Sequence, residues 1–404
     1  MQIATAAPSR RTLEFGIYRD GDNNLDAIQE ATLSQALQTS GRDARIEFTV
    51  EDTTSLHGGE LHTDEFTIAD GGIGHVHREA PKSMSDEDTL ARFVARTLDN
   101  AEKNGAKQTW IDLVDHGGGD GGGLQTGDGR CMPMPAIAQA VADGIALHAR
   151  AHPEDAGRGV EGVVANQCLM DTMGFADALS RAGVKWLAAS PETMLAPGVP
   201  SGVAHAIASH ETDPHAMAEA IVSEVMNARY DAGGLGTFGP AAAFDVLDLD
   251  KRKIDGAESA IRRFNDEAAT EASRSPVRAS LRDDVRAIDG MARFPGAGSD
   301  MPWHADRPAM AVYDTIAGDG RLGATLRRDA AAARDAVGSL VLAHRESDDF
   351  RAFGGADYGD CAGPTVHAPL TRRQIDPWAK RGISETDNAF YRSVHQDAFV
   401  RAVA

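Results

Sequence analysis

Cysteine is scarce in this sequence: Cys131, Cys168 and Cys361 are the only three in 404 residues. An odd count with no Cys-x-x-Cys spacing excludes a disulfide framework and fits a reducing compartment, so a cytoplasmic protein is expected. Positive charge is in deficit as well. The 40 lysines and arginines stand against 61 aspartates and glutamates, a formal net charge of −21 at pH 7. Such a surface repels phosphate backbones and anionic membranes, which excludes nucleic acid as a partner. No run of about 18 apolar residues occurs, and no membrane insertion is expected. The opening MQIATAAPSRRTLEFGIY lacks the apolar stretch of a secretory signal, so residues 1–12 are expected to be a flexible start. Internal repeats, low-complexity tracts and a G-x-S-x-G serine-hydrolase elbow are missing too. Nothing in the pattern specifies an oligomeric state.

What is present is an alternation of short apolar runs with helical patterns, in a chain long enough for a large core. LEFGIY (13–18), RIEFTVED (45–52), TWIDLV (109–114), VEGVVAN (160–166) and VKWLAAS (184–190) read as strands. Between them, helical spacing runs from Leu25, from Leu90 to Ala101, from about 134 to 150 and from 169 to 181. Ser85 with Asp88 predicts a capping box for the second of these helices, and Gly105 its end. A hairpin is expected around HGG (57–59). Strands alternating with helices imply right-handed crossovers and a mostly parallel sheet covered on both faces, with reactive groups at the carboxyl ends of strands. A late strand in AAAFDVLDLD (241–250), a charged helix over 251–275 and an Ala/Arg-rich helix near 320–345 follow. The expected division is a core over 13–250 and a C-terminal region, 251–404, packed on it.

The stretch DHGGGDGGGLQTGDGR (115–130) poses the functional question. A phosphate loop needs a lysine and a hydroxyl after its glycines, whereas here Asp120 and Asp128 would repel an anion. A dinucleotide fingerprint needs a helix to open at once, and the next helical pattern begins only near 134. The histidine is the informative residue. His116 closes one buried strand, and Cys168, 52 residues on, closes another. If those strands are neighbours, both side chains project from one edge of the sheet. A thiol nucleophile needs that arrangement, with an imidazole to stabilise the thiolate and protonate the leaving amine. A helix starting at Leu169 would favour the thiolate further. The backbone N–H groups of Gly117 and Cys168 are the candidate oxyanion donors, and Asp115 a candidate for orienting the loop.

These residues resemble the clostripain-like cysteine peptidases, of the clan that holds caspases, legumain and gingipains. The matching stretches are GDNNLDAI, LVDHGGG, CLMD and ASPETMLAPG, with a weaker match in GPTVHAPL (363–370) and ISETDNAFYRSVHQDAFVRAV (383–403). The resemblance implies a caspase-like three-layer α/β/α sandwich, a smaller C-terminal α/β region and a catalytic dyad of His116 and Cys168. It also implies cleavage after arginine or lysine, activation by an internal cut, with Arg130, Arg150 and Arg158 between the motifs, and calcium as a cofactor in some members. No cofactor is expected to be required for the chemistry. Two positions depart from the pattern. Asn166 stands where the family has the aspartate that helps bind a basic P1 side chain, and Gly174 where it has a glutamate. Asp171 and Glu192 are the remaining acidic candidates near the site, and with Asn166 and Ser190 they make the candidate substrate-binding set.

The expected function is therefore a cysteine endopeptidase acting on peptide or protein substrates. A non-catalytic caspase-like binding module is the alternative, and a transpeptidase a further one, because an amine can resolve an acyl-thioester in place of water. Asp20, Asp22 and Asn24 resemble a calcium loop but lack its glycine and its final glutamate, so a turn ahead of the first helix is expected. His75 and His77 have no third ligand at suitable spacing and are read as a solvated loop. Cys131 and Cys361 are expected to be structural.

Overall fold

The computed structural model describes residues 11–56, 59–231, 237–288, 290, 305–347, 362–371, 374–375 and 388–404. Cys361, most of the expected hairpin tip at 57–59 and residues 291–304 lie outside them.

In chain order the first half runs β1 (Leu13–Asp20), α1 (Asp26–Arg42), β2 (Ile46–Thr54), β3 (His62–Ala69), β4 (Gly72–Ile73), β5 (His77–Glu79), α2 (Glu87–Asn104), β6 (Gln108–Val114), α3 (Met134–Ala151), β7 (Gly162–Asn166), α4 (Met173–Arg181) and β8 (Trp186–Ala189). It continues through α5 (Val203–Ser209), α6 (Pro214–Asn227), β9 (Tyr230–Asp231), β10 (Thr237–Phe238), β11 (Ala243–Asp248), α7 (Lys251–Glu271), α8 (Ser275–Ala287), β12 (Asp306–Pro308), α9 (Ala309–Gly318), α10 (Ala324–Gly338), β13 (Val341–Glu346) and β14 (Thr365–His367). Two short helices, Ala389–Ser393 and Gln396–Val403, follow.

The main sheet has the order β13-β11-β8-β7-β6-β1-β2-β3-β4, with β5 also on β3. Its five central strands, β8, β7, β6, β1 and β2, are parallel, and the strands at both flanks are antiparallel. The parallel strands are apolar on both faces, as burial between two helical layers requires. Ile111, Leu113 and Val163 face one core, shared with α2, α3, α4 and α7 to α10, while Phe15, Ile17, Trp110 and Val164 face a second core under α1, α5 and α6. Trp110 and Trp186 stack with centroids 5.7 Å apart across Gly162, the residue between them in register. A Cβ at Gly162 would run into the Trp110 ring, so only glycine lets the two indoles meet.

Several local expectations shift. The cap of α2 is Asp86, one residue beyond Ser85, accepting from the Thr89 N–H, and Gly105 ends the helix at φ 66°. The charged segment after 250 is two helices, α7 and α8, broken by a turn with Pro276 in the first turn of α8. The Ala/Arg-rich stretch is helical only to Gly338. Val341–Glu346 then returns as strand β13 beside β11, so the chain beyond 250 supplies an edge of the main sheet. Thr365–His367 pairs with Asp306–Pro308 in a separate two-stranded sheet. Among the described residues no helix is long and apolar enough to cross a membrane.

Candidate active site

Strands β6 and β7 pair in parallel, Val114 opposite Asn166, so the chain leaves both at the same edge. His116 and Cys168 sit just beyond, and both line one cleft of about 310 Å3 with Leu25, Asn166, Met194 and Gly198. Gly117 presses against the Cys168 backbone. A Cβ there would overlap the Cys168 carbonyl oxygen, so the residue after the histidine must be glycine for the two loops to approach. Gln167 fixes the contact by donating from Nε2 to the His116 carbonyl at 3.0 Å. The glycine loop then folds on itself through bridges of Gly123 to Gly117 and to Met132. Among the described residues neither the Gly117 nor the Cys168 N–H has an acceptor in another residue, so both are available to a developing oxyanion.

The sequence reading missed what holds the imidazole. His116 Nε2 lies 2.9 Å from Asn24 Oδ1, and the amide oxygen as acceptor leaves the proton on Nε2 and a free base at Nδ1. Asn24 belongs to the GDNNLD stretch read above as a turn resembling a calcium loop. It is a turn, but α1 has no side-chain cap at Leu25, and its polar groups have other work. Asn23 donates to Asp115 Oδ1 at 2.7 Å and to the Gln125 carbonyl at 2.8 Å. Asp20 accepts from the Asp22 N–H at 3.0 Å. Asp26 pairs with the buried Arg19 at 3.1 Å and accepts from Thr54 at 2.8 Å. Asp115, buried, also accepts from the Gln125 N–H, so it ties the turn at 20–26 to the glycine loop on either side of His116.

Cys168 does not open a helix. Leu169 has φ 66°, Leu169 and Asp171 donate to the carbonyls of Glu192 and Ser190, and α4 starts only at Met173, capped by Thr172. The thiolate stabilisation expected from a helix end at Leu169 is therefore missing. Burial instead pushes the Cys168 thiol up to about 11, with the charges of Glu192 and Asp115 adding to it and the Met194 N–H, 3.2 Å from Sγ, opposing it. Burial moves His116 below its ordinary value. No hydrogen bond joins the two side chains to each other among the described residues, and both shifts favour the neutral thiol and imidazole.

No family model and no curated protein matches the chain. Solved structures do. An inactive zymogen C11 protease from Parabacteroides distasonis is 13% identical with a TM-score of 0.62, covering 96% of this chain and 99% of that one. A secreted C11 cysteine protease from Bacteroides thetaiotaomicron, in complex with an irreversible peptide inhibitor, is 14% identical with a TM-score of 0.65 over 96% and 99%. The fold is that of the C11, or clostripain-like, cysteine proteases. A further structure of a secreted C11 protease from B. thetaiotaomicron, "iotapain", agrees at 12% identity and a TM-score of 0.63.

Within this C11 fold the other candidate residues are distributed unevenly. Asn166 lines the cleft, but its amide is committed: Nδ2 donates to the Val199 carbonyl at 3.3 Å and Oδ1 accepts from the Val199 N–H at 2.8 Å. Asp171 is fully buried and faces Asp245, which His344 holds at 2.8 Å; burial and Asp245 keep its carboxyl well above the usual range. Ser190 ties the end of β8 to the Ala243 carbonyl at 2.8 Å. Glu192, buried, accepts from the Thr193 N–H at 2.8 Å. Asp171, Ser190 and Glu192 are not among the residues lining the cleft. Gly174 packs against Asp120 and Asn388, and Asp120 accepts from Thr172 at 2.7 Å and from Tyr391. A carboxylate thus occupies the space beside Gly174, supplied from the glycine loop instead of from α4. His75 and His77 are exposed, with His77 2.8 Å from Glu79. Cys131 and Cys168 form no disulfide.

Proposed function

We propose that the chain is a cysteine endopeptidase. The observation that carries this reading is the convergence of His116, Cys168 and two N–H groups, those of Gly117 and Cys168, at one mouth where β6 and β7 end. Because the pair rests neutral, attack is base-assisted. Sγ bonds to the scissile carbonyl carbon as its proton passes to His116 Nδ1, and the carbonyl electrons become an oxyanion between the two N–H groups. The tetrahedral species collapses, the C–N bond breaks, and the amine leaves with the proton from Nδ1. Water then attacks the thioester with Nδ1 as base, releasing the acid and restoring the thiol. No cofactor enters these steps.

We assign the P1 position to a neutral side chain. The net charge attracts cations from a distance, but at physiological ionic strength that field decays over about 8 Å. A guanidinium buried in the cleft without a partner loses several kcal/mol. Among the described lining residues the only carboxylate is Asp115, already engaged by Asn23 and Gln125. The local cost outweighs the long-range attraction. Of the three arginines between the motifs, Arg150 lies inside α3 and Arg158 donates to Asp155 and to the Ala106 carbonyl, whereas Arg130 is exposed beside the turn at Asp128–Gly129. An activating cut belongs at Arg130, made by a protease that accepts arginine.

The test is intact-protein mass after incubation with peptidyl acyloxymethylketones bearing Arg, Lys, Asn or Leu at P1, on the wild type, Cys168→Ala and His116→Ala, before and after a cut at Arg130. Labelling confined to Cys168, weakened without His116 and fastest for a neutral P1, is the expected result. Fastest labelling by P1-Arg or P1-Lys would overturn the P1 assignment alone. No labelling in either the intact or the cut chain would overturn the peptidase reading and leave a non-catalytic module. Product masses with an added amine separate transpeptidation from hydrolysis.

A further inference from the structure

On the face of the molecule covered by α2 and α3, four side chains converge with no role in the cleft. His148 and His152 stand one turn apart near the end of α3, and Asp99 and Glu102 one turn apart near the end of α2. Asp99 Oδ1 lies 2.7 Å from His148 Nδ1 and 3.3 Å from His152 Nε2. The other nitrogen of His152, Nδ1, is 2.7 Å from Glu102 Oε2. The two rings stack at 4.8 Å, 20° from parallel. Asp155, in the turn after α3, completes the group and is itself held by Arg158. Donor atoms of Asp99, His148 and His152 lie within 4.8 Å of one another, and so do those of Glu102, His148 and Asp155.

The side chain of His148 is wholly buried, and its Nε2 has no hydrogen-bond partner among the described residues although Asp155 Oδ2 is 3.6 Å away. A neutral imidazole carries one N–H, so with Nδ1 donating to Asp99, the lone pair on Nε2 points toward a carboxylate with nothing between them. A buried acceptor aimed at an acceptor is an unfavourable arrangement unless a cation joins them. We propose that His148, through Nε2, forms with Glu102 and Asp155 a binding site for a divalent transition-metal ion of the Zn2+ class, clipping the end of α2 to the end of α3 and the turn after it, while Asp99 holds the other His148 nitrogen. An imidazole with two carboxylates is a donor set for Zn2+, Ni2+ or Cu2+, whereas Ca2+ and Mg2+ are held by oxygen alone. Bonds of about 2.0–2.1 Å in a tetrahedron put donors roughly 3.3 Å apart. The 3.6 Å between His148 Nε2 and Asp155 Oδ2 is close to that spacing, and a Glu102 donor lies within 4.8 Å of donors of both residues.

The site is structural, because at about 1.5 Å per residue His148 lies roughly 20 Å along α3 from the end that joins the glycine loop. The test is isothermal titration calorimetry and thermal unfolding of the full chain with ZnCl2 after chelator treatment, in a Cys168→Ala background so that the cleft thiol cannot compete. One equivalent is expected to bind and to raise Tm by about 3 °C or more at saturation. Glu102→Gln and Asp155→Asn, at half-buried positions whose replacement leaves the core intact, should each weaken binding at least tenfold, and CaCl2 or MgCl2 should not displace the ion. Absence of binding, or binding that both variants retain, overturns the proposal; so does binding seen in the wild type and lost in Cys168→Ala, which would put the ion in the cleft. None of these outcomes depends on the peptidase reading.

Discussion

With the Cys168 thiol pushed up to about 11 and His116 moved below its ordinary value, the two groups hold their protons as a neutral pair at pH 7. At that pH a thiol with this value is ionised to about one part in ten thousand. Alkylation of the resting chain by iodoacetamide should therefore be slow and should rise steadily with pH from 6 to 10. An inflection between pH 5 and 8 would mean a preformed thiolate–imidazolium pair. Asn24 carries the second prediction at this scale. Its Oδ1 fixes which His116 nitrogen keeps the proton, so Asn24→Ala should lower kcat about tenfold with KM little changed, and should shift the acid limb of the kcat profile. A change in KM alone would assign Asn24 to substrate contact. His116 and Cys168 were legible because each closes a strand whose pattern is local. The role of Asn24 was not, since its partner lies 92 residues away and the run of acidic and amide residues around it reads equally well as an ordinary turn.

At the scale of elements the site depends on how closely two loops approach. A Cβ at Gly117 would overlap the Cys168 backbone and the Cβ of Gln167, so Gly117→Ala must push the glycine loop away from the cysteine. A displacement of about 1 Å costs on the order of a hundredfold in rate. The variant should lose at least that much kcat/KM and most of its covalent labelling while its circular dichroism spectrum stays that of the wild type. Retained activity would mean that the loop is plastic and the oxyanion donors lie elsewhere. The strands β6 and β7 were readable because strands buried on both faces are continuously apolar, whereas their pairing stood only as a condition until the register placed them side by side. The start of α4 was not, for the apolar run CLMDTMGF (168–175) has helical composition, and it is long-range bonds, of Leu169 and Asp171 to the chain beyond β8 and of Thr365 to the Asp171 carbonyl, that hold 168–172 out of the helix. Strand β13 was hidden for a similar reason. As a half-buried edge following Gly338 it carries no strict alternation, and its pairing with β11 spans about a hundred residues.

Across the whole molecule the acidity noted in the sequence has been partly moved indoors. Burial, opposed by hydrogen bonds from Thr49 and Asn104, raises Glu14 to about 8, and burial raises Asp20 to about 7 and Asp120 and Asp177 to about 6. His344, opposed by burial but held by Asp245 and Glu346, is raised to about 9. Each of these groups binds its proton more tightly folded than unfolded. Each therefore contributes stability that is complete below its unfolded value, near 4 for the carboxyls and 6.5 for the histidine, and is lost as pH rises through the folded value. His116, moved the other way, opposes them only slightly, below pH 6.5. Stability should fall from pH 5 to pH 9, with Tm of the Cys168→Ala chain lower by about 5 °C or more at pH 9 than at pH 6. Glu14→Gln isolates one member: it removes one proton from the linkage, so the slope of unfolding free energy against pH should flatten by about 1.4 kcal/mol per pH unit between pH 5 and 8. A Tm that rises with pH over this range would show that the buried carboxyls ionise in place and are compensated, and the high value for Glu14 would fall with it.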